Sequence, residues 1–126
     1  MSGIWQKNKI MILIKIPIKT NTKQLEAIVS ALRYRLLSQP EIMVNGKSVD
    51  NDREKTFHYQ LTLKLAEKLS RKLMDKKLNP GKKKEFTIKL NYPEAYTLYN
   101  VLFEVETPPE IALYNRSIFS QLDKML

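Results

Sequence analysis

The residues that could do chemistry in this chain are mostly cations. Lys64, Lys68, Arg71, Lys72 and Lys76 recur along one stretch, and Lys82, Lys83 and Lys84 follow it after an Asn-Pro-Gly turn. At 100° per residue on a helix, Lys64, Lys68, Arg71 and Lys72 fall within about a third of the circumference. Such a stripe can neutralise a row of phosphates, because each phosphate contacted releases condensed counterions. It can equally meet an acidic protein surface, or serve as the solvated side of a helix. Residues 53–84 hold eleven Lys/Arg and three Asp/Glu, a balance of +8 within a chain of net charge +9. Residues 85–126 are net acidic. This asymmetry favours attraction of polyanions to the middle of the chain. Nine of the eleven cations are lysines, point charges without the planar fork that reads guanine edges. A nucleic acid bound here, DNA or RNA, is therefore expected to be held by its backbone with little sequence discrimination.

Other candidate chemistries fail on their spacing. His58 is the sole histidine and has no placeable nucleophile and orienting acid beside it, so it reads as a surface or partly buried side chain. Asp50, Asp52 and Glu54 alternate as at the start of a calcium loop. Lys55 stands where that loop needs glycine, and helix capping explains the acids better. Glu104 and Glu106 lie about 200° apart on a helix and cannot share a proton. Three glycines leave no phosphate-cradling loop, and the absence of cysteine removes thiol catalysis, disulfides and thiolate zinc sites. Tyr96 and Tyr99 could stack on bases, but their helical spacing reads as core packing with hydroxyls at the rim. The expectation is a non-enzymatic protein with no cofactor and no metal site.

The elements that position these residues follow from periodicity. Residues 9–20, KIMILIKIPIKT, are β-branched and apolar and predict a strand, with Pro17 placing it at a sheet edge or lying near its end. Leu25, Ile28, Val29, Leu32 and Leu36 then recur as on a helix, over residues 20–39, with Asn21 or Thr22 as its cap and Pro40 as its stop. Asn45-Gly46 suggests a short hairpin near residues 42–49. Residues 51–78 carry two patterns. Phe57, Tyr59, Leu61, Leu63 and Leu65 alternate as in a strand, whereas Phe57, Leu61, Leu65, Leu69 and Leu73 recur every four residues. Strong helix formers and the lack of a breaker favour one long helix, capped by Asp50 or Asn51 and stopped at residues 79–81. Phe86, Ile88 and Leu90 alternate in a second strand over residues 84–92. A helix over residues 93–106 opens with Pro93 and presents Ala95, Leu98, Tyr99 and Leu102. A last helix is expected to start with Thr107 as cap, Pro108 at its first position and Glu110 closing a capping box, with Ile111, Tyr114, Ile118, Leu122 and Met125 as its buried stripe.

The sum is a single domain over residues 1–126, with residues 1–8 as a loose N-terminal end. Its fold class is helix-rich α+β: about four helices, one of them long and central, packed with a small two-stranded sheet. IKIPIKTNTKQLEAIVSAL and IKLNYPEAYTLYNVL resemble each other as strand–helix units, at the cost of a four-residue difference in length. The apolar run at residues 10–18 is too short to cross a bilayer, and the cationic stripe lacks the large apolar neighbours that a membrane-surface helix needs. The lack of cysteine fits a reducing, cytosol-like compartment, and a cytoplasmic location is the expectation. Two functions remain. The first is binding of nucleic-acid backbone through Lys64, Lys68, Arg71, Lys72, Lys76, Lys82, Lys83 and Lys84. The second is a protein-interaction or assembly subunit whose basic middle meets an acidic partner surface, including that of another copy of itself.

Overall fold

A computed structural model describes residues 15–38, 53–79, 81, 84–105 and 107–126. The loose end at residues 1–8, the start of the first strand at residues 9–14, the hairpin near residues 42–49, the Asp50 or Asn51 cap, the Pro40 stop and Lys82 and Lys83 lie outside the described residues.

Strand β1 (Ile16–Asn21) turns Ile16, Ile18 and Thr20 inward and Pro17 and Lys19 outward. Strand β2 (Glu85–Leu90) buries Ile88 and Leu90 and half-buries Phe86, as its alternation requires. The two pair antiparallel, with Ile18 opposite Ile88 and Pro17 opposite Lys89. Helix α1 (Thr22–Leu37) starts where the Asn21 side chain accepts the Gln24 N–H at 2.9 Å. It buries Leu25, Ala27, Ile28, Val29, Ala31 and Leu32, and packs on all three other helices. The two alanines widen its apolar arc without adding bulk, so neighbours can close on it from several sides.

Residues 53–65 are helical. They belong to α2 (Arg53–Leu78), which at 26 residues is about 39 Å long. The four-residue recurrence drifts by about 40° per step, because a turn holds 3.6 residues. Only its middle therefore faces the core. Leu65 and Leu69 are buried, Leu61 and Leu73 are half-buried, and Phe57 is 58% exposed. The helix stops at Leu78, and Gly81 follows with φ +66°, a left-handed conformation that glycine adopts without steric cost.

Helix α3 (Tyr92–Glu104) opens with a full capping box. Asn91 accepts the Glu94 N–H and the Glu94 carboxylate accepts the Asn91 N–H, each at 2.9 Å. Its expected face holds: Ala95 and Leu98 are buried, and Tyr99 and Leu102 pack against the core. Helix α4 (Pro109–Met125) begins one residue later than the sequence suggests, without the expected capping box. Pro108 occupies the cap position with ψ 148° and no side-chain acceptor. The cause is local: a residue that precedes a proline is driven from helical to extended backbone, and Pro109 does this to Pro108. In the buried stripe Asn115 stands between Ile111 and Ile118, while Tyr114 and Met125 are exposed.

The likeness between the two strand–helix units is closer than the sequence comparison implied. With the capping residues Asn21 and Asn91 superposed, IKTN (18–21) meets IKLN (88–91) and no gap is needed. Ile18 and Ile88 correspond under this offset, and they also face each other in the sheet. The register therefore relates the two strands to each other by an approximate local twofold between these residues. On either side of it, α4 lies beside β1 and α2 lies beside β2.

Candidate functional site

Part of the cationic stripe borders a groove. Lys68, Arg71 and Lys72 line a groove of about 570 Å³ between α2 and β2, with Leu69 and Asp75 from the same helix. Residues Thr87 to Leu90 form the opposite wall. The aliphatic floor is Leu69, Ile88 and Leu90, all buried. Lys89, exposed on the outer face of β2, adds a cation.

The predicted cations divide by their partners. Lys68 is engaged: its Nζ donates to both Glu94 carboxylate oxygens at 2.9 Å and to the Lys89 carbonyl at 3.4 Å. Glu94 thus serves the α3 capping box and the α2 lysine together. The Lys76 ammonium sits 4.7 Å above the Phe86 ring, a cation–π contact that draws it toward the sheet. Lys64, Arg71, Lys72 and Lys84 have no carboxylate partner among the described residues, and neither has Lys89. Arg71 makes only a 3.4 Å contact to the Glu67 carbonyl of its own helix. The fold brings Lys68, Arg71 and Lys72 together at the groove and leaves Lys64 and Lys84 exposed.

Among the described residues, no strand pairs with the edge beside these cations. On the far side of the sheet, the Lys19 N–H and C=O both turn outward, to the Gln121 carboxamide, each at 2.8 Å. In an antiparallel ladder such a residue belongs to a pair whose main-chain groups point away from each other. Lys19 faces Thr87 and Pro17 faces Lys89, so Thr87 and Lys89 direct their N–H and C=O groups into the groove. The Lys89 carbonyl receives Lys68, and the other three groups make no hydrogen bond among the described residues. Sequence reasoning missed this edge and the neutralising role of Glu94. The alternation of Phe86, Ile88 and Leu90 already marked Thr87 and Lys89 as outward side chains, but nothing in it tells which strand edge is covered.

The remaining candidates keep modest surroundings. His58 lies 3.8 Å from Glu54 on the same helix, with its side chain half-exposed. Glu104 pairs with Arg35 at 2.6 Å. Tyr99 stacks on Phe119 with ring centroids 4.9 Å apart and donates its hydroxyl to Asp123 at 2.9 Å. That hydrogen bond, then burial and the charge of Asp123, raise the phenol above its ordinary pKa. Among the described residues there is no cluster of His, Asp or Glu able to hold a metal, and no helix is long and apolar enough to cross a membrane. No protein-family model matches the chain, and no curated protein or solved structure matches it.

Proposed function

We propose that this chain is a non-enzymatic interaction module that holds an acidic segment of a partner protein in the groove between α2 and β2. The observation that carries the reading is the joining of Arg71, Lys72 and Lys89, three cations with no carboxylate partner among the described residues, to a strand edge whose outward groups are largely unbonded among those residues. A phosphodiester backbone can accept from main-chain N–H groups but has no donor for the C=O groups between them, whereas an extended peptide pairs with both. Contact with nucleic-acid backbone is the second reading. It is favoured by Lys64 and Lys84, which are exposed and unpaired among the described residues and lengthen the cationic surface beyond the groove.

The two readings separate in one titration series. Binding of poly-glutamate and of short single-stranded and duplex oligonucleotides is measured by fluorescence anisotropy, from about 50 to about 200 mM salt. The protein reading expects poly-glutamate to bind more tightly, and the double variant Arg71→Glu, Lys72→Glu to lose it. Tight oligonucleotide binding with poly-glutamate inert replaces it by the second reading. Failure of both polyanions at the lowest salt rules out both.

A further inference from the structure

The acidic-groove reading leaves open how the partner is held, and the inference drawn here rests on that reading. We infer that the partner segment binds as an added β-strand on the free edge of β2, as an extended peptide of alternating aliphatic and acidic residues.

The two edges of the sheet correspond under the twofold and are treated differently. On β1, Pro17 has no N–H to offer, and Gln121 occupies both outward groups of Lys19. The counterparts on β2 are Thr87 and Lys89. Thr87 keeps its N–H, and on this side no carboxamide from α2 reaches the strand. Helix α4 packs onto β1, while α2 stands back from β2 and leaves the groove. An incoming strand needs about 4.8 Å of lateral room and meets outward groups every second residue, about 6.8 Å apart. Thr87 N–H, Thr87 C=O and Lys89 N–H supply those groups, and the Lys89 carbonyl joins them once Lys68 moves aside.

Side-chain chemistry follows from the pleat. Residues of the added strand that share the inward side with Ile88 turn toward the α2 side of the groove. Buried Leu69 lies there beneath the methylene stems of Lys68 and Lys72, which asks for aliphatic groups. Residues on the opposite side lie beside Lys89, and Arg71 and Lys72 line the same groove, which asks for carboxylates. Charge complementarity selects the partner, and main-chain pairing fixes its register.

The test uses the full chain and a fluorescein-labelled peptide of alternating Glu and Val. Thr87→Pro removes one outward N–H and gives β2 the residue that β1 already carries at its counterpart, Pro17. The variant is therefore expected to fold, with circular dichroism and melting as the check. Affinity for the peptide should fall roughly tenfold or more, while poly-glutamate held by charge alone is weakened less. Independently of that variant, peptide binding should slow hydrogen exchange at the Thr87 and Lys89 amides of the unaltered protein. Peptide binding that leaves both amides exchanging as before overturns the strand-addition inference and spares the acidic-groove reading. No binding of peptide or poly-glutamate overturns both. Protection of the two amides in the free protein together with a dimer mass in light scattering assigns the edge to a second copy instead. Equal protection by an oligonucleotide assigns it to nucleic acid.

Discussion

Among single residues, Tyr99 has the plainest consequence. Its phenol donates to Asp123, and ionisation would abolish that bond and place two anions side by side. The folded-state pKa therefore lies above the unfolded value. The stabilising effect is fully present below the ordinary phenol pKa and is lost as pH rises through the folded one. Ultraviolet titration should show the Tyr99 phenol ionising above the ordinary phenol range, and Asp123→Asn should lower its pKa. An unchanged titration curve in that variant would show that Asp123 is not the cause. The same scale explains why the cationic stripe was only partly legible. Spacing placed Lys64, Lys68, Arg71 and Lys72 on one side of a helix, and they are there. Spacing does not reveal that Glu94, twenty-six positions further along the chain, claims Lys68.

Among the elements, α2 shows how a period decides burial. A recurrence of four residues overshoots the helical turn, so the apolar row winds around the helix instead of running along it. Leu69 lies where the row crosses the core, and Phe57 lies where it has already rotated away. Leu69→Ala should destabilise the protein by about 2–5 kcal/mol in denaturant unfolding. Phe57→Ala should cost no more than about 0.5 kcal/mol. Similar losses for the two would mean that Phe57 is covered. Helix starts were readable to different degrees for a related reason. Asn21 and Asn91 cap as their residue type suggests, because the acceptor and the N–H lie within three residues. The expected Thr107 box was displaced by Pro109, whose effect on Pro108 outweighs a favourable cap sequence.

For the whole molecule, the local twofold relation of the two paired strands makes the difference between the sheet edges meaningful. Gln121 is the device that covers β1. Gln121→Ala should free the Lys19 N–H and C=O and leave the outer edge of β1 open at that residue. Sedimentation is then expected to show concentration-dependent association stronger than that of the unaltered chain. A variant as monodisperse as the parent would indicate that Pro17 and the charge of Lys19 protect this edge unaided.

Periodicity and composition alone determined the helix-rich α+β class, the two strands, the four helices and the unequal distribution of charge. These are local properties, set by backbone propensity and by side chains that repeat within a few residues. Tertiary structure decided which cations stay unpaired, which strand edge is covered and that the stripe borders a groove. Those depend on residues such as Lys19 and Gln121, more than a hundred positions apart, meeting in space. A pattern read along the chain carries no information about such meetings until the helices have packed.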